Sequence, residues 1–400
     1  MKQKILILGA GFAGMWAALS AARLTALHER NDIEITVLAP QPELRVRPRF
    51  YEKKVETLVS PLMPLFNVTG VNFLQGEAQR IDAQGKCVWY RNAQNESTIE
   101  HYDRLVIATG SYLRRDRVKG AAEHAFDLDQ LETALRLEQH INQLGQQPDS
   151  AARNTVVVCG GGFTGIEVAT ELPHRLRAIL GAGGAPRVIV VERGDVIGGR
   201  YSEALRDVIR EASDELGIEW RLGAEVAEVD EQGIILADGE RIPSSTVIWT
   251  VGVQASELTS QIAAQRDAQG RLHVNEFLQV PGYDDVFATG DVARATTDDK
   301  GNIALMTCQH AIMLGRFVGH NAAASLLGVE PLTYRQVNYV TCLDLGGWGA
   351  VYTEGWEQEV KLTRAEAKKL KLSITSELIY PPKADRKIAF ETADPLAAFV

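Results

Sequence analysis

Cysteine is scarce in this 400-residue chain: Cys87, Cys159, Cys308 and Cys342 are the four present. They lie far apart and form no Cys-x-x-Cys pair. That argues against a disulfide scaffold and a thiolate metal site, and for a reducing compartment. No metal site is expected. Positive charge is short as well. Forty-two Lys and Arg face 52 Asp and Glu, a net charge of −10, which argues against a nucleic-acid partner. Long apolar runs are missing except at the start, where Ile5 to Ala22 follows Lys2 and Lys4. A membrane helix needs about 20 apolar residues, so this run is marginal. It also has the superficial form of a secretory signal. Glycines at 9, 11 and 14 weaken either helix, since each costs about 1 kcal/mol against alanine.

What is present explains the opening better. "KILIL" reads as a strand, "GAGFAG" as a tight turn, and the stretch from Phe12 as a helix. The design recurs downstream. "NTVVVCGGGFTGIEVATEL" has an apolar strand, Gly160, Gly162 and Gly165, and then a helix. One G-x-G-x-x-G is a weak signal; two, each between a strand and a helix, point to two dinucleotide sites. "DIEITVLAP" and "PRVIVVERGD" supply a further strand after each copy. This βαβ alternation predicts parallel sheets covered by helices.

Between the copies, "VNFLQGEAQRIDAQGKCVWY" alternates as a small antiparallel sheet does. "AEHAFDLDQLETALRLEQHINQL" reads as a helix with Leu131, Leu135 and Leu137 inward. "GQQPDSAARN" is a polar linker. Hairpin signals stand at Gln232-Gly233 and Asp238-Gly239, and a helix is predicted from Cys308 to Leu327. The expected organisation is 1–149 and 266–328 as one nucleotide domain, 150–265 as a second, and 329–400 as a C-terminal module.

The first corner, Gly9, Gly11 and Gly14, lets backbone approach a pyrophosphate held at the helix N-terminus. The rule also expects a ribose-binding acid at the end of the next strand. Ala39 and Pro40 stand there instead, and Glu43 is the nearest acid downstream. At the second corner, Glu192 does end its strand. A carboxylate there accepts from ribose hydroxyls and repels a 2′-phosphate, favouring NADH over NADPH. Arg193 is a counter-signal, being able to pair with such a phosphate; Glu192 as an ordinary exposed acid is the other reading. In "VFATGDVAR", Gly290 and Asp291 arrive at a strand's C-terminal end. Asp291 suits a ribose or ribityl hydroxyl, or a helix N-cap.

"GAGFAG", "YDRLVIATGS", "GGGFTGIEVATEL", "VIWTVGV" and "VFATGDVA" occur in the order seen in flavoprotein pyridine-nucleotide oxidoreductases with two dinucleotide-binding domains. The chain is similar to that family over about residues 1–325. The resemblance implies an α/β fold: two Rossmann-like FAD/NAD(P)-binding domains plus a smaller α+β C-terminal module. It implies FAD at Gly9, Gly11, Phe12, Ala13, Gly14, Ala108, Thr109, Gly110, Gly290 and Asp291. It implies NADH at Gly160, Gly162, Gly165, Glu192 and Gly252. Hydride would pass from nicotinamide to flavin N5.

Among the branches, the chain resembles the type II NADH:quinone oxidoreductases and their relatives. "GGGFTGIEVATEL" is similar to their GGGPTGVELAGEL, which implies Glu167 near the nicotinamide; a helix-surface acid is the plain alternative. "MTCQHAIMLGRFVGHN" is similar to their TAQxAxQQGxxxAxN. Gln309 matches the first glutamine of that quinone-pocket pattern, and Met313 replaces the second. Gln309 and His310 open a helix from which both would face the flavin, and the amides of Cys308 and Gln309 would stabilise charge at its N1/O2 side. The dithiol of the disulfide reductases is missing from "RVRPRFYEKKVETL". Sulfide:quinone enzymes also use cysteines near the flavin. Cys308 and Cys342 could approach one another, but Cys159 reads as a buried strand residue, so a third partner is missing. Arg47, Phe50 and Tyr51 lie where the family passes a loop over the flavin, although Arg47 and Arg49 can equally be solvated charges.

Residues 361–387 carry eight Lys/Arg and three Asp/Glu, and "TRAE" reads as a capping box. A basic patch can touch anionic lipid, a partner protein or solvent. "AFETADPLAAFV" reads as a tail or a homodimer contact. The expected function is a cytoplasmic NADH dehydrogenase, peripheral at most on the inner face of the membrane, delivering electrons to a quinone-like acceptor. Two other outcomes fit the same residues: reduction of a small redox protein, and NADH sensing with little turnover.

Overall fold

The computed structural model describes residues 2–181 and 184–398. The Gln3–Leu8 strand runs parallel to Ile33–Ala39 on one side and Arg104–Ile107 on the other. Ile5 to Leu8 are fully buried. A strand covered on both faces is written as one apolar run, which is why the opening mimics a membrane segment. Outward from this centre the sheet adds Val286–Ala288 at one edge. At the other it adds Asn72–Asp82, Cys87–Asn92 and Ser97–His101. The last two pair antiparallel, as the alternating segment predicts. The return of the chain at Val286 therefore completes the sheet that the first residues begin.

Helices Phe12–Leu27 and Cys308–Leu327 cover one face. They touch backbone to backbone: a Cβ on Gly319 would come within 2.0 Å of the Ala17 carbonyl oxygen. Close approach of this kind requires glycine.

A second sheet is parallel throughout, in the order Ile218–Arg221, Arg187–Val191, Thr155–Cys159, Thr246–Trp249. The Phe163–Leu180 helix follows its glycine corner. Helix Leu131–Gln143 packs on this sheet through Ala134, Leu137 and Ile141. Leu131 and Leu135 are only partly buried, so the inward face is turned from the one the leucines suggest. Within the predicted linker, Ser150 caps a helical turn over Ala151–Asn154, accepting from the Arg153 N–H at 3.1 Å. The two predicted hairpins form one three-stranded antiparallel sheet, Val226–Asp230, Gly233–Leu236 and Arg241–Pro243.

The C-terminal part is an antiparallel sheet, Val340–Asp344, Ala350–Glu354 and Glu359–Thr363, followed by helix Arg364–Ser373. The expected capping box is absent: Thr363 makes no cap hydrogen bond, and Arg364 sits at φ +55°. Its guanidinium is drawn instead to Glu211 and Glu215. The basic segment is also not a uniform cationic face. Lys361 pairs with Glu359, Lys368 with Asp344 and Lys371 with Glu167. Helix Arg386–Thr392 opens the tail, and Asp394 pairs with Arg23 of the first helix. Phe399 and Val400, the end of that expected tail or dimer contact, lie outside the described residues. No described helix is long and apolar enough to cross a membrane.

Candidate active site

The two glycine corners are built alike. Gly9 and Gly160 take φ +108° and +109°, a region that L side chains rarely adopt. A Cβ on Gly14 would lie 1.9 Å from the Gly9 carbonyl oxygen, and one on Gly165 would lie 1.9 Å from that of Gly160. These glycines let each helix sit directly on its strand. The middle glycines differ: around Gly11 and Gly162 a Cβ would meet nothing within 4 Å. Open space therefore stands in front of both helix N-termini, where free N–H groups favour a diphosphate.

Both corners open on one cleft of about 1550 Å³. A pocket for one small ligand measures roughly 300–1,000 Å³, so there is room for more than one. Gly9, Gly11, Phe12 and Ala13 line one end, with Ala108, Thr109 and Gly110 directly beside them. Gly162 and Phe163 line the wall toward the second sheet. Gly14, Gly160 and Gly165 lie behind the lining, as their packing role requires. Gly252 is also outside it, at φ +88° with its carbonyl accepting from the Arg114 N–H at 3.0 Å.

Glu192 does not line the cleft, but it is no ordinary surface acid. Its carboxylate accepts from the N–H groups of Gly161 at 2.7 Å and Gly194 at 2.8 Å, which fixes it beside the second corner. Ala39, where the first corner lacks its acid, is buried.

Gly290, Asp291 and Arg47 line the cleft together. Asp291 Oδ2 accepts from the Ser111 hydroxyl at 2.6 Å. It sits inside a short 3-10 turn, Gly290–Val292, while Thr307 caps the long helix, so the N-cap reading does not hold. Arg47 is not a solvated charge either: it is bonded to Asp129 and lies 3.9 Å from Asp291. Arg49 pairs with Glu52 at 2.7 Å. Phe50 and Tyr51 are corrected outright. Both are core residues packed with the second sheet and neither reaches the cleft. Arg47 and Pro48 of the preceding turn reach the cleft, whereas the two aromatic rings point into the core.

Glu167 is 2% exposed, which removes the surface-acid alternative. It accepts from Lys371 Nζ at 2.7 Å and from the Asp344 N–H at 3.1 Å. Lys371 also donates to the Cys342 carbonyl at 3.0 Å and lies over the Phe163 ring. Asp344 is held in turn by Lys368 at 2.6 Å. Burial pushes the Glu167 carboxyl up to about 7, with Lys371 pulling part of that back. Lys371 keeps its proton: desolvation pulls its pKa down, but the charge and hydrogen bond of Glu167, with Cys342 and Asp344, together leave it raised.

Cys308 and Gln309 line the cleft at the start of their helix, but His310 does not. One residue along a helix turns a side chain about 100° away, and His310 is buried behind two rings. It stacks on Tyr339 at 5.4 Å and lies tilted against Trp356 at 5.9 Å, with Nδ1 3.0 Å from the Thr307 hydroxyl. Desolvation pushes its pKa down to about 4. A direct role for His310 at the reacting atoms is thus withdrawn. Tyr339 and Trp356, stacked at 4.7 Å, present their rings to the cleft in its place.

Cys308 and Cys342 both line the cleft as thiols, with burial pushing each up to about 11. Cys159 is buried in its strand, as expected. Among the described residues no group of His, Cys, Asp and Glu is arranged to hold a metal ion.

Lys371, Tyr339 and Trp356 were not singled out by the sequence. Lys371 sits in a run of lysines that reads as surface. Tyr339 and Trp356 belong to no motif, and only the sheet pairing of the C-terminal part brings them to the cleft.

A family model described as pyridine nucleotide-disulphide oxidoreductase matches residues 3–315. An NADH dehydrogenase-like protein of Mycobacterium tuberculosis is 41% identical over 385 residues, covering 95% of this chain and 94% of its own. A type II NADH:quinone oxidoreductase of Staphylococcus saprophyticus is 24% identical over 371 residues, covering 88% and 90%. The solved structure of NDH2 from Plasmodium falciparum has a TM-score of 0.81 at 15% identity and covers 98% of both chains.

Proposed function

Since this chain belongs to the pyridine nucleotide-disulphide oxidoreductase family, we propose that it is an FAD-dependent NADH dehydrogenase that reduces a quinone. The observation that carries this reading is the shared cleft: two diphosphate-ready corners open on one space, with a buried carboxyl in its wall. On this reading residues 1–149 and 266–328 hold FAD, 150–265 hold NADH, and 329–400 shape the acceptor side.

The fit to FAD is local. The space beside Gly11 takes the diphosphate, and Asp291, braced by Ser111 and Arg47, takes a ribityl hydroxyl. At the second corner Glu192 takes the NADH ribose and opposes a 2′-phosphate. A bound flavin supplies hydride acceptance and two-electron delivery; the chain supplies position and a proton. Glu167 holds a proton near neutral pH on a carboxyl that faces the cleft. Its partner Lys371 can re-form the ion pair once that proton has left. Quinone reduction consumes protons, so a carboxyl of this pKa is matched to the task. Tyr339 and Trp356 offer flat rings against which a quinone ring can lie.

The test is direct. The purified protein is expected to show a flavin spectrum and to release FAD on denaturation. Anaerobic NADH should bleach it more readily than NADPH, and a soluble quinone should restore the colour faster than ferricyanide does. A colourless protein that takes up no FAD, or one reoxidised by ferricyanide but not by quinones, defeats the proposal.

A further inference from the structure

At the adenosine end of the first corner the strand that should end in an acid ends in Ala39, buried and paired with Gln75. Four residues on, Glu43 begins a short strand, Glu43–Arg45, pinned to Val59–Pro61. The excursion returns a carboxylate to the cleft, for Glu43 lines it beside Pro40 and Gln41. The intervening turn is anchored, since Gln75 Nε2 donates to the Pro40 carbonyl at 3.0 Å.

Glu43 is oriented as well as placed. Arg45 Nε donates to its Oε1 at 3.0 Å. The rest of that guanidinium is taken by Glu132, at 3.1 and 3.0 Å. Among the described residues Oε2 of Glu43 accepts no hydrogen bond, so it is available to a ligand. The cluster holds two carboxylates and one guanidinium, a net charge of −1. That repels a phosphate and suits a neutral pair of hydroxyls. The glycine corner, not this cluster, is where a diphosphate fits.

We propose that Glu43, braced by Arg45, accepts hydrogen bonds from the adenosine ribose hydroxyls of FAD and thereby makes the site select FAD over FMN. This rests on the FAD reading above. Glu43 does the work of the strand-end acid that this chain lacks, from a position outside the usual pattern. It is a binding residue, remote from the reacting atoms.

The test measures affinity rather than turnover. Flavin is removed from the full-length protein, and rebinding of FAD and FMN is followed by quenching of flavin fluorescence. Glu43→Ala should weaken FAD about tenfold or more, the scale of lost hydrogen bonds to a charged group, and leave FMN unchanged. Arg45→Gln should weaken FAD less, since it removes only the brace. Unchanged FAD affinity in Glu43→Ala overturns this inference and leaves the FAD reading standing. Equal losses of FAD and FMN also overturn it, as they signal a general disturbance. If the unaltered protein binds no FAD, both fall together.

Discussion

Glu167→Gln is expected to change stability far less than Lys371→Met near neutral pH, because the folded carboxyl, raised to about 7, already carries its proton much of the time and an amide is its neutral isostere. The Lys371 ammonium, 4% exposed, then faces an uncharged amide. Its burial is no longer offset, so its pKa drops below the ordinary 10.5. The folded form then binds fewer protons than the unfolded chain, so this variant gains stability as pH rises toward 10.5. Lys371→Met should show the opposite slope. Glu167, already raised from 4.5 to about 7, loses the charge that restrains it. The folded carboxyl keeps a proton that the unfolded chain releases, and each such pH unit costs about 1.4 kcal/mol. Its penalty therefore grows as pH climbs through neutrality. The unaltered pair carries a weaker form of that slope. Its contribution is complete below about 4.5 and declines as pH rises through about 7. Urea unfolding on either side of neutrality reads both signs, and the double variant should recover most of the loss. Parallel slopes in the two single variants exclude a coupled pair. The same residue should govern turnover: acceptor reduction falls as pH rises through about 7, and in Glu167→Gln that limb disappears.

The glycine corners carry the second large effect. Gly165→Ala places a methyl 1.9 Å from the Gly160 carbonyl oxygen. Neither backbone segment can give, so a loss of about 1–3 kcal/mol or more is expected from overpacking, together with NADH affinity. Gly162→Ala meets no protein atom within 4 Å. Its melting temperature should match the parent, while on the proposed reading NADH binding weakens about tenfold or more, because the methyl enters the open space in front of the helix. Melting curves and NADH titrations separate the two. Equal melting of both variants, or unimpaired NADH binding by Gly162→Ala, contradicts the corner as described.

Which parts of this could be read in advance follows from how far apart the determining atoms lie in the chain. The corners are local devices. A buried strand, a glycine at a left-handed φ and a helix fall within about fifteen residues, so spacing alone identifies them. Glu192 is legible for the same reason. The orientation of His310 is not legible in the sequence, because adjacent helical residues point in different directions and the face turned to the cleft is chosen by packing against Tyr339 and Trp356. The burial of Phe50 and Tyr51 is not legible either, because an aromatic beside arginines has the pattern of a binding loop and only the distant core that receives it decides otherwise. The capping box failed because Arg364 is pulled away by Glu211 and Glu215, residues about 150 positions earlier.

The linear order of residues settled the two glycine corners, the parallel sheets around them and the family, because each is encoded in short-range apolar periodicity and glycine placement. Tertiary structure alone decided that Lys371 lies against Glu167, 204 residues apart, that two aromatic residues of the C-terminal part line the cleft, and that Glu43 reaches it. Those contacts depend on burial and charge pairing between distant segments, and no local pattern announces which segments will meet.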